Sequence, residues 1–274
     1  RSCKLLGISR QAVYQAEKRK EQRTLELTPI KAMVLEQRRF MPRLGGRKLY
    51  SLLKAQFDAQ GIKLGRDRFF DYLREHRLLV MPVKRYTKTT YSKHWMKKHP
   101  NLFEGQKIIR AEQAFVSDIT YVETEEGVHY LSLVTDAYSR KIMGYEVSAD
   151  MRAESVVKAL KQAARQRQTQ RALIHHSDRG LQYCSALYQQ ELNRHSILPS
   201  MTDGYDCYQN ALAERVNGIL KQEFLLYKCR NLTELKSLIA ESVDIYNRLR
   251  PHLSLDMQTP EEVHKKATST GEVA

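Results

Sequence analysis

Apolar residues recur every three or four positions over the first third of the chain and every second position beyond it. In the helical stretch, Thr28-Pro29 opens a predicted helix through Phe40, broken by Gly45-Gly46. A second helix is predicted over 47–60, with Leu49, Leu52, Leu53 and Phe57 on its apolar side. A third, over 66–76, carries Phe69, Phe70, Tyr72 and Leu73. Upstream, residues 3–20 read as the second half of a helix-turn-helix. Leu5 and Leu6 end one helix, Gly7 turns, and Ser9 caps a helix presenting Arg10, Gln11 and Tyr14. Most of the preceding helix is missing.

From about residue 113 the period becomes that of strands. Ala114–Val122, Val128–Thr135 and Ile142–Ser148 are short β-branched and aromatic runs, separated by hairpin-length connections. A helix at 152–167, a strand at 172–175, a helix at 185–195 and a short strand at 197–200 follow. Then come helices at 210–221 and 232–247, and a tail. The order β-β-β-α-β-α-β-α predicts an α/β fold, a mixed five-stranded sheet flanked by helices, as in ribonuclease-H-like cores. The predicted divisions are a partial helix-turn-helix (1–24), a basic helical DNA-binding module (25–82), a basic linker (83–107), the catalytic core (108–228), and a C-terminal helix and tail (229–274).

Charge sharpens this division. The 274 residues carry a formal net charge of +15. Residues 1–110 hold 27 Lys and Arg against 9 Asp and Glu, and the rest 19 against 22. A cationic front joined to a near-neutral back suggests a DNA- or RNA-binding module joined to something else, with an anionic membrane surface as the competing partner. Arg47, Arg66 and Arg68 in the helical module, with Arg10 upstream, are its candidate DNA contacts. The linker interleaves Lys84, Arg85 and Lys88 with Tyr86, Tyr91 and Trp95, as suits a strand-tracking arm or a plain spacer. No apolar run approaches the ~20 residues of a membrane span, and no signal peptide opens the chain. Cys3, Cys184, Cys207 and Cys229 stand far apart, which argues against a zinc site or disulfide framework and for a reducing cytoplasm. The chain starts at Arg1, which suits a fragment or the downstream part of a longer product.

Three acids occupy telling places. Asp118 lies inside the strand F-V-S-D-I-T-Y-V, where an unpartnered charge is costly. Asp178 follows the fourth strand in H-H-S-D-R-G-L-Q-Y, and Glu214 lies on the helix N-A-L-A-E-R-V-N-G-I-L-K. In the expected fold the first and fourth strands are neighbours and the late helix crosses that edge. Clustered carboxylates repel, and hard oxygen donors suit Mg²⁺ or Mn²⁺. Two such ions about 3.5–4 Å apart form the clamp of phosphodiester chemistry. On the Glu214 helix, Asn210, Asn217, Gly218 and Lys221 are predicted to share its polar edge, opposite Leu212, Val216 and Ile219. Gly218 leaves room for a sugar-phosphate backbone beside Lys221.

Thirty-five residues separate Asp178 from Glu214, and Lys221 follows Glu214 by seven. With S-D-I-T-Y-V, H-S-D-R-G-L-Q-Y, N-A-x-A-E and Y-N-x-x-R-P-H, this resembles bacterial transposases of the insertion-sequence-three family, whose cores are similar to retroviral integrases. The resemblance implies Asp118, Asp178 and Glu214 as catalytic metal ligands and Lys221 as a contact to terminal DNA. It implies a Mg²⁺- or Mn²⁺-dependent polynucleotidyl transferase with two ions per site. Such an enzyme nicks an element end and joins the 3′-hydroxyl elsewhere, with water and that hydroxyl as nucleophiles. Terminal repeats and target DNA, a homodimer or higher oligomer, an upstream-frame partner and a bacterial, nucleoid-associated location are the matching expectations. Phe115 and Gln209 depart from the pattern, where Trp and Asp are commoner.

Two rivals stay open: a ribonuclease-H-like nuclease without joining, and a DNA-binding regulator made from a partial frame. His175 and His176 fit either metal assistance or strand-end packing. His252 fits either tail docking or DNA contact, and Asn210 either a helix cap or DNA contact. Asp136, Glu123, Glu125 and Glu126 are expected to be hairpin-surface acids.

Overall fold

A computed structural model describes residues 9–81, 96–203 and 210–269, the side chains of residues 20 and 21 excepted. The predicted turn at Gly7, Cys3, Cys207, Gln209 and most of the basic linker lie outside the described residues. The chain divides into two units, Arg1–Met81 and Pro82–Ala274.

In the first unit Ser9 is extended and its hydroxyl accepts from Ala12 N at 3.1 Å, the predicted cap. The helix it starts, α1 (Arg10–Phe40), runs straight past Pro29. This corrects the expected start at Thr28-Pro29, and the division placed after residue 24 falls inside one helix. Pro29 removes one donor and stands between β-branched Thr28 and Ile30, so local propensity does not explain the continuation. Ile30, Met33 and Val34 then bury the continuation. Helices α2 (Gly46–Ala59) and α3 (Arg66–Glu75) bury Leu49, Leu53 and Phe57 against Phe69, Tyr72 and Leu73. The Phe57 and Phe69 rings stand 5.7 Å apart.

The second unit holds a five-stranded sheet in the order β3-β2-β1-β4-β5. Strands β1 (Ala114–Thr124), β2 (Gly127–Asp136) and β3 (Ile142–Ser148) pair antiparallel, while β4 (Leu173–Ser177) and β5 (Ile197–Met201) run parallel to β1. The mixed sheet matches the predicted fold class. Alternation along β1 divides the core. Phe115 and Ile119 join Val157, Leu160, Tyr188 and Leu192 on one face, where α4 (Ala153–Arg165), α5 (Leu181–Cys184) and α6 (Ala186–Arg194) contribute. Ala114 and Val116 join Ala137 and Ala213 on the other, under α7 (Ala211–Ile219). The expected helix end at Lys221 is corrected: α7 gives way to a π-helical turn, Leu220–Phe224.

The C-terminal segment is part of this core. On α8 (Leu232–Arg248), the Asn247 amide bonds the Ile142 N–H and C=O at 2.9 and 3.0 Å. Arg250, buried, makes a two-pronged pair with Glu223 at 2.8 and 2.6 Å. His252 takes a bond from Arg250 at 3.0 Å and meets the Tyr246 ring edge-on. The Y-N-R-L-R-P-H run therefore docks the tail, which decides the question left open for His252. Beyond it a further helix, α9 (Pro260–Ser269), stands where only a tail was expected.

Asp136 is likewise corrected. It is fully buried, bonding Glu112 N, Ser139 N and the Ser139 hydroxyl, each at 2.7 Å. His264 of α9 lies between Asp136 and buried Glu112, and Glu112 takes three 2.7 Å donors from Gln168 and Thr169. Burial alone would raise the Glu112 carboxyl, yet His264 and these donors hold it down to about 2.

Gly144 of β3 lies against the backbone of α4. A Cβ there would lie 2.1 Å from the Ala159 carbonyl oxygen and 2.8 Å from Ala163 N, both backbone atoms of α4. Gly144→Ala is expected to destabilise the protein by at least about 3 kcal/mol in urea denaturation; a loss below about 1 kcal/mol would show that the contact is looser than described.

Candidate active site

Three elements converge where the small residues of β1 and α7 meet. Asp118 sits mid-strand on the α7 side, paired across to Leu133. Asp178 follows β4, in a turn where its own carboxylate accepts from Gly180 N at 3.0 Å. Glu214 lies in the first turn of α7, where the helix N-terminus favours a carboxylate.

These acids feel one another. Asp118 is pushed from 3.8 up to about 7, first by burial and then by Asp178, with Glu214 adding to the rise. Glu214 is raised by burial and then by Asp178. Opposing this, Asn217 donates from Nδ2 to Asp118 Oδ2 at 2.8 Å. Asn217 was expected on the polar edge of its helix; instead it is buried against β1, and its Oδ1 has no hydrogen-bond partner. Its spacing of three from Glu214 was the sequence signal for this role, since residues three apart share a helix face.

The other α7 residues separate. Asn210 is buried and donates to Ser117 O at 3.0 Å, so it is neither a side-chain cap nor a surface contact. A Cβ at Gly218 would meet nothing within 4 Å, so packing does not demand glycine there. Lys221, in the π-helical turn, places its ammonium 4.3 Å from the Tyr121 ring centre.

Both strand-end histidines are structural. His175 Nε2 is shared by the Ser117 hydroxyl at 2.7 Å and the Tyr188 hydroxyl at 2.8 Å. Burial, and then His176, lowers it to about 3, so it is neutral. His176 bonds the Ser200 hydroxyl at 2.9 Å and stacks on Phe103. In the first unit Arg10, Arg47, Arg66 and Arg68 are all exposed, and Arg66 pairs with Asp67 at 2.9 Å.

The donor set fits a hard divalent cation. Two aspartates and a glutamate supply oxygen ligands, and their mutual repulsion is what such a charge relieves. The fit is one of donor chemistry: among the described residues no group of three or more acidic, histidine or cysteine side chains is placed so that it could hold a metal ion. Cys184 and Cys229 are free and buried.

Comparison with known proteins gives two matches to the integrase core domain family, over residues 110–207 and 195–260. The chain is 33% identical over 273 residues to the uncharacterized 31 kDa protein of insertion element IS600 from Shigella sonnei, covering 96% of this chain and 97% of that one. It is 31% identical over 221 residues to transposase InsF of insertion sequence IS3A from Escherichia coli K12, covering 78% and 75%. Its fold resembles a chain of the simian T-cell lymphotropic virus intasome in complex with a PP2A regulatory subunit (TM-score 0.52, 17% identity, 80% of this chain and 74% of that one).

The Asp118 shift fixes a pH dependence. The unfolded chain ionises this group near 3.8 and the folded chain at about 7. Metal-free stability therefore falls as pH rises between those values and flattens above them. Asp118→Asn is expected to lose that slope and to be more stable than wild type at pH 8 by roughly 1–3 kcal/mol. Thermal melts across pH in a chelating buffer check this, and parallel curves for the two proteins would contradict it.

Proposed function

The chain belongs to the insertion-sequence-three family of DNA transposases, and on that premise we propose a three-carboxylate mechanism of strand cleavage and joining. As a polynucleotidyl transferase it breaks one phosphodiester bond and makes another. Water attacks at an element end and frees a 3′-hydroxyl; that hydroxyl then attacks a second phosphodiester, and the displaced strand leaves with its own hydroxyl. The observation that carries this reading is the electrostatic meeting of Asp118, Asp178 and Glu214 at one edge of the sheet.

Asp118, Asp178 and Glu214 would hold Mg²⁺ or Mn²⁺, two ions by the chemistry of the family, which supply Lewis acidity to the attacking and leaving oxygens. Asn217 fixes the Asp118 carboxylate through its 2.8 Å bond, so one ligand is oriented before substrate arrives. Gly218 leaves an open strip of helix where a sugar-phosphate backbone can lie. Lys221, steadied over Tyr121, supplies a cation along the same segment. Arg10, Arg47, Arg66 and Arg68 offer exposed charge to terminal-repeat DNA. Holding two ends together requires a dimer or higher oligomer on DNA. Of the described residues, no helix is long and apolar enough to cross a membrane. The intact acid set speaks against a regulator with a dead core.

The direct test uses labelled element-end DNA, a target plasmid and Mg²⁺, with Asp178→Asn alongside. Nicked and joined products are expected from wild type alone. Nicking without joining would sink strand transfer, and equal products from the variant would sink the carboxylate mechanism.

Gly218→Ala separates stability from function. Glycine inside a helix costs about 0.5–1 kcal/mol relative to alanine. The variant should therefore be more stable by that amount, while joining falls about tenfold or more because the DNA is held away from the acids. Unchanged joining would remove Gly218 from the DNA path.

A further inference from the structure

A second concentration of charge lies at the other end of β4. Arg110 Nη2 donates to Ala172 O at 2.7 Å, and Arg167 Nη2 donates to the adjacent Arg171 O at 2.8 Å. Two guanidinium groups are thus pinned on consecutive carbonyls of the loop between α4 and β4. Arg110 also reaches the Ala111 and Glu112 carbonyls, and Arg167 that of His195. Arg171 and Lys107 stand exposed alongside. The acids facing the cluster, Glu112 and Asp136, are buried beneath it and already engaged by N–H donors and His264.

Next to these cations runs an open groove of about 300 Å³, lined by Gln106, Arg110 and Gln113 and by the apolar Ile109, Ala172, Ile174 and Leu198. Its apolar walls, Ile109 and Leu198, are largely exposed. Arg167 Nε is buried without a hydrogen-bond partner. Burial and then Arg171, with a smaller push from Arg167, lower the Arg110 guanidinium from its ordinary value, while Glu112 and Asp136 beneath it partly offset this.

We propose that the cationic edge beside this groove is a second DNA-binding site, in which Arg110, at the groove wall, and its neighbours Arg167, Arg171 and Lys107 grip the phosphate backbone of a duplex. It rests on the reading that the chain acts on DNA, and adds a contact remote from the chemistry. Asp178 lies six positions along the chain from Ala172, roughly 20 Å at strand rise. The site therefore engages phosphates several base pairs from the cut, or a separate duplex. Solvated surface arginines would be free to move. Here carbonyls fix the forks in advance, which reduces the ordering cost of binding phosphate.

The test is the salt dependence of binding to a random-sequence duplex of roughly 30 base pairs, read by fluorescence anisotropy. Arg171→Gln and Lys107→Gln are each expected to weaken affinity several-fold and to flatten the slope of log K against log salt by about 1. Arg171→Lys should restore the slope, and Arg194→Gln, an exposed arginine on α6, should leave it alone. Melting temperatures confirm folding, and Lys107→Gln carries the test if Arg171→Gln is unstable. Wild-type slopes in both variants would overturn the site. Binding needs no catalysis, so a chain that never cuts DNA but shows the flattened slopes keeps the groove while losing the transposition mechanism.

Discussion

Close packing of α7 on β1 is the contact on which the site depends. Ala114, Val116, Ala137 and Ala213 keep the interface thin, and the helix comes near enough for Asn217 to bond Asp118 at 2.8 Å. That approach brings Glu214 toward two aspartates already set by the β1–β4 pairing. The cost is electrostatic, since burial and neighbouring acids lift Asp118 to about 7. The tail secures the arrangement from behind: Arg250 clamps Glu223, immediately after α7, and Asn247 caps β3.

The second unit contains two sets of acids with opposite electrostatics, one buried (Glu112 and Asp136) and one partly open to solvent (Asp118, Asp178 and Glu214). Glu112 and Asp136 are matched by backbone N–H groups, hydroxyls and His264, and Glu112 is held down to about 2. Asp118 is met only by the Asn217 amide and the Ile119 backbone, and is pushed up. A satisfied cluster of that kind serves structure, here joining α9 to the sheet. An under-satisfied one, reachable from solvent, is the mark of a site that awaits a cation or substrate.

Strand periods, hairpin turns and the three acids were legible in the chain because each is a local pattern in a strongly patterned sheet. Asp118 was conspicuous as a charge among Val, Ile and Tyr. What escaped depended on contacts between distant segments. Asp136 looks like a turn acid until His264, 128 residues on, is folded against it. Asn217 reads as surface because amphipathic spacing does not distinguish solvent from a neighbouring strand. Pro29 suggested a helix start, yet the downstream core carries α1 through it. His175 and His176 lay beside a candidate ligand in sequence, and only their bonds to Ser117, Tyr188 and Ser200 reveal them as core.

The fold holds Asp118 and Asp178 together against their repulsion, and on the proposed mechanism a divalent cation relieves it. A double-mutant cycle with Asp118→Asn and Asp178→Asn, measured by urea denaturation in a chelating buffer and again with Mg²⁺, tests this most directly. Without the ion, each substitution should stabilise the protein, and the pair should gain less than the sum. With Mg²⁺, wild type should gain most and the double variant least. Additive effects in the chelating buffer, together with equal Mg²⁺ gains across all four proteins, would contradict the claim.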